Sequence, residues 1–396
     1  MLRLGVIERS NSPFCSPIVL VKKKDGKTRF CCDYRKLNRQ VVFDAEPMPD
    51  VEFLFAKLGK AQYLSKLDLS KGYWQIPMAE EDKAKTAFST PQGHFQWTVM
   101  PFGLKTAGAI FSRMMRDLLQ PLDMPEVDNF MDDILIGTET LEKHLLCLKA
   151  VLNRLREVSL AVKPTKCYLG FGELEYLGHV VGNGKIKPDQ DKMSKLREAS
   201  PPKTKRQIRS FLGLAGFYRR FVPNFAEIAA PLTDATRDRA PVKVNWTEAC
   251  EAAFQTLKAK LCTAPVCVLP DFKRQFVLRT DASNVGLGAI LIQDHGLGDQ
   301  TIACASRKLN QAEKNYSTVE KELLAIVWGV QKFSPFLYGR EFILQSDHLP
   351  LQHLENMKST NSRLMRWAMQ LQPYAFTFRS IPGKENVGAD FLSRLY

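Results

Sequence analysis

The chain has 396 residues, more than one ordinary hydrophobic core accommodates, so two or more packed units are expected. Its 56 Lys and Arg against 42 Asp and Glu leave a net charge of +14, which points to a polyanionic partner or an acidic surface. Hydrophobic residues make up 45% and aromatics 10%, which excludes disorder, and no apolar run approaches the roughly 20 residues of a membrane span.

The charge is uneven. Residues 151–250 carry 18 basic and 10 acidic side chains, a local +8, whereas residues 101–150 carry 5 and 8, a local −3. An acidic island inside a basic chain implies divalent metal within an electropositive groove. The nine cysteines form no C-x-x-C and no Cys/His cluster at zinc spacing, and are expected to be reduced thiols of an intracellular protein. Met1-Leu2-Arg3-Leu4 opens no secretory segment.

In chain order, the β-branched run 17–24 reads as a strand with a basic tip. Asp25-Gly26 is a hairpin signal, and 28–34 is the returning strand. Residues 63–68 form a further strand that ends on Asp68. Pro101-Phe102-Gly103 breaks the chain before a helix through Phe111–Met115. Residues 127–137 place two apolar arms around Asp132-Asp133, again as a hairpin. A helix over 141–158 follows, with Leu145, Leu148, Leu152 and Leu155 at helical spacing. Beyond Ser200-Pro201-Pro202 come a basic helix from Lys203 to Phe221 and an amphipathic helix over 247–261. The pattern then restarts with strands 275–281 and 287–293, helix 316–333, strand 342–346 and a last helix near 387–395.

Two adjacent aspartates between apolar strands repel one another unless a cation neutralises them. Mg²⁺ takes one or two carboxylates plus phosphate oxygens, so the pair with Asp68 as third member suits nucleotidyl transfer. Alone, the same pair is also an ordinary polar turn.

The surrounding strings decide between these. Ser16-Pro17-Ile18-Val19-Leu20-Val21-Lys22-Lys23-Lys24-Asp25-Gly26, Arg29-Phe30 and Asp33-Tyr34-Arg35-Lys36-Leu37-Asn38 resemble the fingers of retroelement reverse transcriptases. The resemblance continues through Ser65-Lys66-Leu67-Asp68-Leu69-Ser70-Lys71-Gly72-Tyr73-Trp74-Gln75-Ile76, Met100-Pro101-Phe102-Gly103-Leu104, the Asp-Asp turn and Tyr176-Leu177-Gly178-His179. The wording is most similar to gypsy-type LTR retrotransposons. The resemblance implies that Asp68, Asp132 and Asp133 are catalytic carboxylates, with Asp68 and Asp132 the principal metal ligands. Lys23 and Arg29 would reach the triphosphate of an incoming nucleotide, Tyr73 would close beneath its sugar, and Phe102 would line its pocket. Leu177, Gly178 and His179 would grip the primer terminus. Two positions depart from the family: Phe130 stands where Tyr is usual, and Lys105-Thr106-Ala107-Gly108 replaces Thr-Asn-Ala-Pro.

The C-terminal part supplies a second acidic set at the ends of separate elements: Asp281, an acid of the helix beginning near Tyr316, Asp347 and Asp390. Their mutual repulsion again calls for cations, which can activate water against a phosphodiester. From periodicity, Glu320 and Glu322 flank the apolar face of Val319, Leu323, Ile326, Val330 and Phe333 equally. The set resembles a ribonuclease H domain, in which the catalytic Glu directly precedes the Leu-x-Ala-Ile run. That selects Glu322 and leaves Glu320 as a solvated first-turn acid. Asp281, Glu322, Asp347 and Asp390 are then the expected catalytic residues and metal ligands. The loop 381–386 has no His, and slower product release is expected.

In the basic helix, Ile208, Phe211, Leu212 and Ala215 can pack inward and leave the cations toward a nucleic-acid backbone. The implied fold is α+β and multidomain. A right-hand polymerase has fingers and palm over 1–185 and thumb over 186–265; an α/β ribonuclease H-like domain follows over 266–396. The implied activity is RNA- and DNA-templated DNA synthesis with hydrolysis of the RNA strand of the hybrid. It would use two Mg²⁺ per centre, Mn²⁺ being an alternative. Implied partners are an RNA–DNA hybrid, an RNA template with DNA or tRNA primer, and deoxynucleoside triphosphates, with no membrane. The chain would act as monomer or homodimer in a cytoplasmic virus-like particle, as a trimmed piece of a Pol polyprotein. The competing expectation is a catalytically silent nucleic-acid-binding relic or scaffolding subunit.

Overall fold

The computed structural model describes residues 1–22, 26, 28–237, 244–263, 267–296, 298–347 and 362–381. The chain folds as two compact units, Met1–Leu174 and Glu175–Tyr396. The expected thumb and nuclease segments both fall in the second, together with 175–185.

The first unit is built around a sheet ordered Val127–Phe130, Asp133–Thr138, Tyr63–Asp68, Tyr168–Phe171. Leu67, Ile134 and Ile136 face helices Ala107–Leu119 and Leu141–Glu157, whose Phe111, Met115, Cys147 and Val151 complete a fully buried core. Gly137 sits where a Cβ would lie 2.6 Å from Leu58 Cδ2, so this strand has no room for a larger residue against the neighbouring turn.

Helix Leu141–Glu157 corrects the leucine stripe. Thr140 caps it by accepting from the Lys143 amide, and the buried face is His144, Cys147, Val151 and Leu155. Leu145 and Leu152 are exposed. His144 displaces leucine from the core because its ring is fully hydrogen-bonded there, 2.6 Å from Ser65 Oγ and 3.0 Å from Thr138 Oγ1.

The expected N-terminal hairpin is present as Ile18–Lys22 paired antiparallel with Thr28–Cys32. Beside it lies a three-stranded sheet, Ile7–Arg9, Gly93–Trp97 and Phe88–Thr90, whose short strands carry no alternation strong enough to read from sequence.

The next sheet, which lies in the second unit except for Glu173 and Leu174 at its start, is ordered Glu173–Tyr176, His179–Gly182, Lys185–Pro188 and Cys267–Val268. Helices Lys205–Phe217 and Glu248–Cys262 pack through Phe211 and Phe254, ring centroids 4.7 Å apart. Ile208, Phe211 and Ala215 are buried as expected, while Leu212 is only half-buried. Thr204 and Gln207 close a capping box at the start of the basic helix.

The rest is a five-stranded sheet ordered Asp299–Lys308, Gly286–Asp294, Phe276–Ala282, Phe342–Ser346, Phe376–Ser380. The first three strands are antiparallel and the last two join in parallel. Helix Thr318–Lys332 covers one face. Strands Asp299–Lys308 and Phe376–Ser380 were not anticipated: both are sheet edges whose polar, half-exposed residues imitate loop. The expected helix near 387–395 lies outside the described residues.

Candidate active sites

The first acidic centre lies where two strands meet a tight turn. Asp68 pairs directly with Asp133, and Phe130 pairs with Asp133 from the other side. Met131 takes a left-handed φ of 56° at the turn, and the Leu69 amide donates to the Asp132 carbonyl at 2.9 Å. These bonds bring Asp132 back beside the end of the Asp68 strand. Gly72, at a φ of 27°, lies against it, a Cβ there making an ordinary 3.4 Å contact with Asp132 Cβ.

Two lysines answer the charge. Lys166 Nζ donates to Asp68 Oδ2 at 2.8 Å, and Lys66 Nζ stands 3.1 Å from Asp133 Oδ2. Burial pushes the Asp133 carboxyl upward against the pull of Lys66, and Asp132 and Asp68 push it further. The Lys166 ammonium is held above its ordinary value by the bond to Asp68, then by the charges of Asp68, Asp132 and Asp133. All three acids therefore act on one cation. Neither lysine was singled out from sequence. Lys166 arrives from 98 residues beyond Asp68, and only the basic run Lys163-Pro164-Thr165-Lys166 could have drawn notice.

Tyr73 and Phe102 come together beside this centre, their rings 5.3 Å apart, and Tyr73 also packs on Phe111 at 5.4 Å. Burial and the Asp132 charge raise the Tyr73 hydroxyl. Gly108 borders the same space: a Cβ there would meet Met131 Cε at 3.5 Å and the Tyr73 hydroxyl at 3.8 Å, ordinary contacts. Lys23 and the side chain of Arg29 lie outside the described residues.

Leu177 and Gly178 form a turn, both with positive φ, of 46° and 74°. The positive φ of Gly178 favours glycine at this turn, and a Cβ there would displace only the mobile end of Lys192, 2.5 Å away. His179 sits beneath it, buried against Phe217 and Phe221, with Nδ1 3.1 Å from the Leu177 carbonyl. Burial pushes its pKa down to about 4. The groups exposed at this turn are Phe217 and Lys192, not the histidine.

The second acidic centre forms where two parallel strands part. Pairing of Phe276–Ala282 with Phe342–Ser346 runs only as far as Arg279 opposite Gln345. Beyond it, Asp281, Glu322 and Asp347 converge, with carboxylate oxygens all within 4.8 Å of one another. Among the described residues this is the only such group of three. Asp68, Asp132 and Asp133 form no such close group, and Lys166 and Lys66 lie against Asp68 and Asp133.

Burial and the charges of Asp281 and Asp347 push Glu322 up to about 9, and its Oε2 is buried without a hydrogen-bond partner. An orphaned carboxylate oxygen facing two more carboxylates is the donor set of a hard divalent cation. Glu320 is not solvated. It accepts from the Ser317 amide in a capping box and pairs with Arg363 at 2.8 Å. Asp390 lies outside the described residues.

Residues 21–181 match the family model for reverse transcriptase (RNA-dependent DNA polymerase), and residues 271–374 match that for the RNase H-like domain found in reverse transcriptase. The whole chain aligns at 43% identity with 37% of the retrovirus-related Pol polyprotein from transposon 297 of Drosophila melanogaster. It aligns at 38% with 39% of the Pol polyprotein from transposon gypsy of the same fly. The chain belongs to the reverse transcriptase–ribonuclease H segment of LTR-retrotransposon Pol polyproteins.

This segment spans under half the length of those relatives. Among solved structures, foamy viral protease-reverse transcriptase in complex with double-stranded DNA matches with a TM-score of 0.86 and 27% identity, over 96% of this chain and 67% of that one. The same viral protein in complex with RNA/DNA hybrid matches with a TM-score of 0.83 and 26% identity, over 96% and 52%. The expected right-hand polymerase followed by a ribonuclease H-like domain is therefore the fold of the segment. Its two acidic centres fall one in each matched domain.

Proposed function

We propose that the chain copies RNA and DNA templates into DNA at the first centre and hydrolyses the RNA strand of the hybrid at the second. The observation that carries this reading is the convergence of Asp281, Glu322 and Asp347 around an unpartnered carboxylate oxygen, in the same chain as the Asp68–Asp132–Asp133 turn. Asp68 and Asp132 would hold divalent cations at the first centre, and Asp281, Glu322, Asp347 and Asp390 at the second. Mg²⁺ is the fitting ion for oxygen-only ligands beside phosphate. When bound, such ions supply positive charge to the attacking and leaving oxygens of phosphoryl transfer.

The chain's own residues supply the rest. Tyr73 and Phe102 form an aromatic floor next to Asp132, against which a nucleotide sugar and base can rest. A 2′-hydroxyl would meet the Tyr73 ring, which favours deoxynucleotides. Lys166, which donates to Asp68 Oδ2, would offer its ammonium to a triphosphate at the same centre. Lys66 opposes the upward push that burial gives the Asp133 carboxyl. In the second unit, the Leu177-Gly178 turn with Lys192 and Phe217 presents one cation and one aromatic face to a primer strand, and the basic helix follows its phosphates. In this reading the natural template is retroelement RNA with a DNA or tRNA primer, and the setting is a virus-like particle.

The test is direct. With primer–template, deoxynucleoside triphosphates and Mg²⁺, the purified chain extends the primer, and Asp132→Asn does not. On a labelled RNA–DNA hybrid it cuts only the RNA strand. Tight hybrid binding with neither activity would overturn this function and make the chain a scaffold.

A further inference from the structure

The nuclease sheet has two faces, and the helix Thr318–Lys332 covers one. A Cβ on Gly329 would lie 3.1 Å from Thr280 Cγ2 and 3.2 Å from Ala289 Cβ, so the Thr280–Ala289 pair faces that helix. The next row pairs Asp281 with Gly288 and Gly288 with Ser306; Gly288 and Ser306 face the other way, because side chains alternate along a strand and paired residues share a face, while at the strand end the Asp281 carboxylate still comes within 4.8 Å of Glu322.

That row is covered by a turn of the thumb segment, residues 224–227. Asn224 is held in a left-handed conformation, φ 54°, and its Nδ2 donates to Glu227 Oε2 at 3.2 Å. Its Oδ1 stands 3.2 Å from where a Cβ on Gly288 would be. The Ala226 amide donates to Ser306 Oγ at 2.9 Å. Between turn and row lies a small cavity walled by Asn224, Glu227, Asp281, Gly288 and Ser306. Further ties hold the same junction: Arg220 Nη2 donates to the Ile302 carbonyl at 3.3 Å, and Lys308 Nζ lies 2.9 and 3.0 Å from the two Asp234 oxygens.

We propose that the 224–227 turn of the thumb is a positioning element of the nuclease centre, fixing the strand that carries Gly288 and, through it, the paired Asp281. This rests on the nuclease reading above. Three of its observations are independent: the cross-strand row, the absent side chain at Gly288, and the backbone tie to Ser306. Asn224 has little freedom to yield, since its own backbone and Glu227 both hold it. A methyl group at position 288 therefore pushes on the strand rather than only on a side chain. The consequence is that hydrolysis depends on residues outside the RNase H-like region matched at 271–374.

The full chain with Mg²⁺ and a labelled RNA–DNA hybrid tests this. Gly288→Ala is expected to lower kcat for cleavage about 5-fold at unchanged hybrid KM, with primer extension unaffected. Adding Asn224→Gly, which keeps the left-handed turn and removes the clashing oxygen, returns kcat to within about 2-fold of Asn224→Gly alone. A Gly288→Ala enzyme with wild-type kcat, or a double variant as slow as Gly288→Ala, overturns the proposal. Should Gly288→Ala fail to fold, Ser306→Ala decides, with kcat down about 2-fold at constant KM expected and no change overturning it. A wild-type chain that cuts no hybrid overturns the functional reading and this inference together, whereas a cutting wild type matched by every variant overturns the inference alone.

Discussion

The two acidic centres solve the same electrostatic problem in opposite ways. At the Asp68–Asp132–Asp133 turn, ammonium groups of Lys166 and Lys66 lie against the carboxylates, and the acids stay spread. At Asp281–Glu322–Asp347 the acids converge, and Glu322 holds a proton instead. The first centre is neutralised by residues that must move for a cation to enter, and the second by a proton that must leave. The first centre should therefore resist metal through competition with lysine, and the second through pH.

The largest effect separates the centres outright. Asp132→Asn should abolish primer extension by about 10³-fold or more while hybrid cleavage stays within about 2-fold, and Asp281→Asn should do the reverse. Gel assays of both activities on each variant would break the comparison if one substitution silenced both.

Next is pH. The folded-state pKa of Glu322 is raised far above that of an unfolded glutamate, so its stabilising contribution is complete below about 4.5 and is lost as pH rises through about 9. Without divalent cation, the melting temperature of the second unit should fall steadily across that window. It should recover with Mg²⁺ at high pH, and Glu322→Gln should flatten the curve. Calorimetry in chelator showing the same slope for wild type and Glu322→Gln would remove the proton from the account.

A smaller effect concerns Lys166. Lys166→Ala frees Asp68, so the Mg²⁺ concentration for half-maximal extension should drop about 3-fold, the scale of one partly exposed ion pair, as the maximal rate also falls. The Mg²⁺ dependence of hybrid cleavage should not change. The smallest concerns Glu320. Glu320→Ala removes a cap and the Arg363 pair, costing about 1 kcal/mol in thermal unfolding while leaving cleavage intact. Loss of cleavage there would reverse the roles of the two glutamates.

How much could be read beforehand differs by element. The strand ending on Asp68, the hairpin around Asp132-Asp133 and the strand–helix order of the nuclease-like region show in local patterning, because alternation and turn residues are properties of neighbours in sequence. The Leu145 and Leu152 stripe misled, since hydrophobic periodicity does not disclose that His144 finds two hydroxyl partners inside. Glu320 and Glu322 were indistinguishable by periodicity. Capping geometry and the parting of two strands separate them.

The sequence by itself determined which residue types stand at the ends of elements, and hence that two sets of carboxylates exist and what chemistry they suit. Tertiary structure decided which acids meet, that Lys166 comes to Asp68, that His179 turns inward, and that the 224–227 turn seats on Gly288. These are contacts between residues tens to a hundred positions apart, and their energies depend on burial and on strand splay. No short stretch of sequence contains those quantities.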